Sequence, residues 1–137
     1  DMLRQRSRPY LFSNALMPAI VGASIEVLNM LNESNALVSK LESNRVYFRS
    51  ALEKAGFELK PGDTPIIPIM LHDAALSQKF ADRMLDNGIY VIGFNYPVVP
   101  KGQARIRVQL SAAHEQEHLD KAIEAFISVG KELDVIN

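Results

Sequence analysis

Cysteine is absent from the 137 residues. That removes disulfides, thiolate metal sites and a cysteine nucleophile together, and it fits a reducing compartment. An excess of charge is missing too, since Lys and Arg number 15 against 16 Asp and Glu, for a net charge of -1. Nothing therefore draws the chain as a whole towards nucleic acid. The one local excess, Arg4, Arg6 and Arg8, reads as a solvated basic stretch. No apolar run approaches the roughly 18 residues of a membrane span. A signal peptide is missing as well: Asp1-Met2-Leu3-Arg4-Gln5-Arg6 reads as a helix end already under way, which predicts a chain that begins mid-protein. There is no Gly-rich loop of dinucleotide or P-loop form.

What is present is globular. Hydrophobic residues make up 47% and charged residues 23%, which excludes a disordered chain and suits one domain's worth of polypeptide. From Pro18 to about Leu31 apolar residues fall on nearly every side, with Pro18 suited to a first helical turn. A helix apolar all round lies between layers or between subunits. Ser34 is placed to cap the next helix, whose core stripe is Leu37, Leu41, Phe48, Leu52 and Ala55, ended by Gly56. Ile66 to Leu71 reads as a buried strand, with Pro68 marking an edge or bulge. Asp73 caps a helix that turns Leu76, Phe80, Met84 and Leu85 inward and ends at Asn87-Gly88. Ile89 to Phe94 is a second strand, Asn95 to Gly102 a loop, and Ala104 to Leu110 a third strand. A last helix, about Glu115 to Leu133, buries Leu119, Ala122, Ile123, Phe126 and Leu133. The order predicts an α/β chain of the α+β kind, a small mixed or antiparallel sheet with helices on one face. The methionines read as core filler, and Tyr10, Phe12, Tyr90 and Phe94 as core aromatics.

Two strings carry chemistry. In Gln103-Ala104-Arg105-Ile106-Arg107-Val108-Gln109-Leu110 the side chains alternate faces. Ala104, Ile106, Val108 and Leu110 go to the core, so Arg105 and Arg107 stand together on the other face. Guanidinium forks match a carboxylate or phosphate in its plane, and alternation alone does not choose between the two arginines or exclude a plain solvated face. The second string, His114-Glu115-Gln116-Glu117-His118, has the spacing of a zinc-hydrolase helix. It falls where a helix begins and has no third ligand nearby, and no metal site is expected.

Three strings together resemble the α-oxoamine synthases: Ser7-Arg8-Pro9-Tyr10-Leu11-Phe12-Ser13-Asn14, then Gly88-Ile89-Tyr90-Val91 leading into Tyr96-Pro97-Val98-Val99-Pro100-Lys101-Gly102-Gln103, and Ala104-Arg105-Ile106-Arg107 running on to Ser111-Ala112-Ala113-His114. The resemblance covers nearly the whole chain. Tyr96 to Arg107 looks most like the glycine acetyltransferase branch. The Arg-x-Arg and Ala-Ala-His parts are shared with 5-aminolevulinate synthase, 8-amino-7-oxononanoate synthase and serine palmitoyltransferase.

The resemblance implies the type I fold of pyridoxal-phosphate enzymes. Residues 34–137 would be its C-terminal small domain, and residues 1–33 a linking segment and long interdomain helix. It implies a cytoplasmic homodimer with active sites at the subunit interface, where glycine and acetyl-CoA condense to 2-amino-3-ketobutyrate and CoA. Pyridoxal phosphate would act as the electron sink. By the same resemblance Arg107 grips the substrate carboxylate, and Ser13 and Asn14 reach the phosphate of the cofactor bound mainly by the other subunit. The family's Schiff-base lysine, its pyridine-nitrogen aspartate and its ring-stacking histidine are expected upstream of Asp1. None of Lys40, Lys54, Lys60, Lys79, Lys101, Lys121 and Lys131 sits in the family's Lys-Ala-Leu-Gly-Gly-like setting. No catalytic residue is expected in this chain, which alone is expected to be inactive and free of the cofactor. Glu115 departs from the threonine of many relatives. Another α-oxoamine synthase, making 8-amino-7-oxononanoate or 5-aminolevulinate, and a stand-alone small-anion-binding module remain alternatives.

Overall fold

A computed structural model describes residues 1–8 and 15–137. The chain divides into two compact units, 1–35 and 36–137. The first holds helix α1 (Met2–Arg6) and helix α2 (Pro18–Glu33). Pro18 opens α2 as its sequence position predicts. None of the residues of α2 is buried, and Ile20, Ile25, Leu28 and Met30 are all about half exposed or more.

The second unit runs α3 (Ala36–Lys54), β1 (Ile66–His72), α4 (Ala74–Asp86), β2 (Gly93–Phe94), β3 (Ala104–Gln109) and α5 (Gln116–Glu132). The sheet has the order β1-β3-β2, and both pairings are antiparallel. Ile67, Ile69 and Leu71 of β1 and Ala104, Ile106 and Val108 of β3 face the helices and are buried. Alternate residues face away. Pro68 is tolerated because β1 is an edge strand. Its carbonyl accepts from Lys60 on the outer side, so its missing N–H falls away from the β3 ladder.

Four phenylalanines fill the centre. Phe126 of α5 lies 6.0 Å from Phe48 and 6.3 Å from Phe57, both edge-on, and 5.7 Å from Phe80. The helix signals hold locally. The Asp73 carboxylate accepts the Leu76 N–H at 2.7 Å, a cap worth about 1 kcal/mol. At the other end of α4, Gly88 takes φ +75° while Ile89 donates back to the Met84 carbonyl at 2.9 Å.

Several sequence expectations need correction. The second strand shrinks from Ile89–Phe94 to Gly93–Phe94, and at its expected start Ile89 spends its N–H on the end of α4. Leu85 is 59% exposed: the inner face of α4 is Ser77, Phe80, Ala81 and Met84, and Leu85 falls beside it. Leu37 is 62% exposed. Lys40, one turn further along α3, is already level with Glu115 at the start of α5, so no side chain of α5 reaches back over Leu37. Met84 is core, but Met2, Met17 and Met30 are exposed, as is Tyr90. Tyr10 and Phe12 lie outside the described residues.

One junction at the end of β1 titrates. His72 has φ +64°. Its Nδ1 lies 3.1 Å from the Gly102 carbonyl and its Nε2 2.9 Å from the Glu58 carboxylate. The Glu58 carboxylate first, and the Gly102 carbonyl second, hold the imidazole pKa above its usual value. Only imidazolium donates from both nitrogens. Its contribution is therefore fully present below a pH of about 6.5, the unperturbed value, and fades as pH rises through the raised folded value. The stability advantage of the parent chain over a His72→Gln variant should hold between about pH 5 and pH 6.5 and shrink from there towards pH 8. Urea titrations across that range check it, and a constant difference would contradict the assignment.

Candidate functional site

Strand β3 presents its arginines as alternation requires. Ala104, Ile106, Val108 and Leu110 are buried, Arg105 is half-buried and Arg107 is exposed. The ion pairs among the described residues involve neither arginine. Arg107 instead meets an aromatic ring: its Cζ lies 4.5 Å from the centroid of Phe94. Phe94 is directly opposite Arg105 across the β2–β3 ladder, so it is the diagonal neighbour of Arg107, within reach of a long side chain. Reading Phe94 as plain core missed this role. The signal available was an aromatic residue one short strand away from two arginines.

Two openings meet at Arg107. A notch of about 260 Å³ is lined by Pro68, Phe94, Val98, Val99, Arg105 and Arg107. A larger cleft of about 670 Å³ runs past Ile92, Arg107, Gln109, His114 and His118 towards the phenylalanine core. Arg107 lines both openings and Arg105 only the smaller. Segment 89–92 and residues 107–110 form facing walls of the larger cleft, joined at one end where the Arg107 N–H donates to the Ile92 carbonyl at 3.5 Å.

The far wall of the cleft is a turn held by side chains. Asn44 of α3 is 8% exposed and donates through Nδ2 to the carbonyls of Ser111 at 3.1 Å and His114 at 2.9 Å. This residue escaped the sequence reading. Its signal was the seven-residue gap between Leu41 and Phe48 in an otherwise regular stripe, which a buried polar residue fills. Lys40 pairs with the Glu115 carboxylate, which holds that carboxyl below its usual pKa. Tyr47 donates to Asp120 at 2.6 Å, and this bond raises the phenol pKa.

The two histidines of the zinc-like string serve the backbone. His114 Nδ1 accepts the Ser111 N–H at 3.2 Å, and His118 Nδ1 accepts the Glu115 N–H at 3.0 Å. The second contact satisfies a donor at the start of α5, a capping function. No group of three or more His, Cys, Asp or Glu among the described residues could hold a metal ion. Nor is any helix there long and apolar enough to cross a membrane.

The described residues fit an anionic substrate group better than a covalently held cofactor. No lysine lines either opening. Lys40 is tied to Glu115, and Lys101 stacks 5.1 Å from the Tyr96 ring centroid. Ser13 and Asn14, the residues expected at a cofactor phosphate, lie outside the described residues.

A helix-backed antiparallel sheet with an arginine-bearing strand is the C-terminal small-domain arrangement of the type I pyridoxal-phosphate transferases. The chain belongs to the aminotransferase class I and II family, whose model matches residues 1–126. Within it the chain closely matches the C-terminal portion of 2-amino-3-ketobutyrate coenzyme A ligase. It is 57% identical over 136 residues to the protein of that name from Escherichia coli (strain K12), covering 99% of this chain and 34% of that one. The 8-amino-7-oxononanoate synthase of Thermosipho melanesiensis is 46% identical over 136 residues, covering 99% of this chain and 35% of that one. Among solved structures, Sphingomonas wittichii serine palmitoyltransferase superposes with a TM-score of 0.85 at 27% identity, over 99% of this chain and 35% of that one. The chain thus spans about a third of the length of the curated relatives it matches. These matches bear out the α-oxoamine synthase resemblance read in the sequence.

Proposed function

We propose that the full-length protein condenses glycine with acetyl-CoA to give 2-amino-3-ketobutyrate and CoA, and that this chain supplies the grip on the glycine carboxylate. In that reaction a C–C bond forms between the glycine Cα and the acetyl carbonyl carbon. The thioester C–S bond breaks, the Cα loses one proton and CoA leaves as the thiol. The observation that carries the reading is Arg107, a guanidinium with no ion-pair partner among the described residues, at the meeting point of two openings. A carboxylate there can accept two parallel N–H bonds. The 57% identity to 2-amino-3-ketobutyrate coenzyme A ligase favours acetyl-CoA over longer acyl donors.

The reading assigns the rest of the site elsewhere. Pyridoxal phosphate belongs to the full-length protein, with Ser13 and Asn14 reaching its phosphate from the neighbouring subunit of a cytoplasmic homodimer. Residues 1–33 link two domains, and residues 34–137 form the small one. The Schiff-base lysine lies on upstream polypeptide, so the isolated chain should neither develop the absorbance of a lysine-bound cofactor nor release CoA from acetyl-CoA and glycine.

The test is CoA release by the full-length protein with glycine against a panel of acetyl-, succinyl- and pimeloyl-CoA, beside the isolated chain. Turnover with acetyl-CoA by the long form alone is expected. Preference for pimeloyl- or succinyl-CoA would move the assignment to 8-amino-7-oxononanoate or 5-aminolevulinate synthesis. The paired guanidinium groups of the notch favour one other reading, a stand-alone module for small anions. Tight glycine binding by the isolated chain in equilibrium dialysis would support that module instead.

A further inference from the structure

The geometry points to Phe94 as a positioning residue for Arg107, an aromatic back wall that aims the guanidinium at the amino-acid carboxylate. This inference rests on the carboxylate-binding reading of Arg107 and adds a second residue to it. Three observations carry it. The first is the contact itself: Cζ of Arg107 sits 4.5 Å from the ring centroid, inside the distance at which a cation is held by an aromatic face.

The second is competition. Arg107 is exposed, and no carboxylate among the described residues ion-pairs with it. A long side chain with no partner samples many rotamers, and fixing it on binding costs affinity. An aromatic face restrains the guanidinium without occupying its N–H donors, which stay free for a carboxylate. An acidic partner would restrain it too, but would consume those donors.

The third is how firmly the ring is mounted. Phe94 follows Gly93, and a Cβ on Gly93 would come within 2.8 Å of the Ser77 carbonyl oxygen. Ser77 is fully buried on α4. Only glycine lets β2 press this closely on the helix. The two-residue strand Gly93–Phe94 is thus packed closely on α4 through Gly93 and paired with β3, with Phe94 opposite Arg105. Phe94 also lines the notch beside Val98 and Val99. One face of the guanidinium therefore lies against the ring, while its N–H edge is left to a ligand.

The experiment uses the full-length enzyme with Phe94→Leu, Phe94→Tyr and Arg107→Ala compared in parallel. Glycine KM, acetyl-CoA KM and kcat are measured, together with glycine binding by equilibrium dialysis without acetyl-CoA. Phe94→Leu keeps apolar bulk but removes the π face. It should raise both the glycine KM and the dialysis Kd roughly 3–30-fold and leave the acetyl-CoA KM in place. Phe94→Tyr keeps the face and should stay within about twofold of the parent. If Phe94→Leu lowers the melting temperature markedly, Phe94→Met replaces it as the non-aromatic variant.

Equal effects of the leucine and tyrosine variants, or none from leucine, would overturn the proposal. If Arg107→Ala weakens glycine binding while Phe94→Leu does not, only the role of Phe94 falls. If Arg107→Ala itself changes nothing, both readings fall together.

Discussion

Replacing Arg107 with alanine in the full-length enzyme is expected to raise the glycine KM by about 30-fold or more, with the acetyl-CoA KM near its starting value. Truncating one partner of a desolvated, hydrogen-bonded charge pair costs about 2–5 kcal/mol, and about 1.4 kcal/mol is tenfold. In the second unit Arg107 is exposed. Its worth therefore depends on the substrate and the rest of the protein closing over it, which places the expectation towards the low end of that range. Arg107→Lys keeps the charge but loses the planar fork, and should fall between the parent and the alanine variant. Steady-state kinetics with glycine varied at saturating acetyl-CoA makes the measurement. An unchanged glycine KM in the alanine variant would remove Arg107 from substrate binding.

Phe126→Ala should cost the 137-residue chain about 3–5 kcal/mol of stability, the usual penalty for emptying a phenylalanine site in a core. Phe126 has no exposed surface and meets Phe48, Phe57 and Phe80 at once. Its removal forfeits both buried area and ring contacts worth about 0.5–1.5 kcal/mol apiece. Measured against the 5–15 kcal/mol of a typical domain, the loss should shift a urea-unfolding midpoint far to the left. Leu85→Ala on the exposed side of α4 should move it by no more than about 0.5 kcal/mol. Similar shifts for the two variants would contradict the packing described.

What the sequence made legible follows from how local each signal is. Strand β3 was readable residue by residue because one buried face imposes a strict period of two, and Arg105 and Arg107 followed from it. Helix ends were readable because Asp73, Gly56 and Gly88 act on the backbone nearest to them. Strand β2 was overextended because an apolar run cannot reveal that Ile89 bonds backwards to α4. Leu37 and Leu85 differ from expectation for two reasons. Leu85 lies at the margin of the inward stripe, which spacing does not delimit, and at Leu37 the start of the neighbouring helix decides where the cover stops. Asn44 and Phe94 were missed because their partners, at positions 111 and 114 and at 107, are distant along the chain. The choice of Arg107 over Arg105 came from family resemblance, and the two openings that meet at Arg107 supply an independent physical reason to prefer it.

Pro68 has a bearing on how this sheet meets other polypeptides. With no N–H at that position, and with Leu59 bridged to Ile69 and Lys60 bonded to the Pro68 carbonyl, the outer rim of β1 offers no continuous row of donors and acceptors. Fibril growth by templated strand addition needs such a row. That rim is thus capped within the molecule itself, and a solution crowded with copies of this chain is protected along it from cross-β stacking.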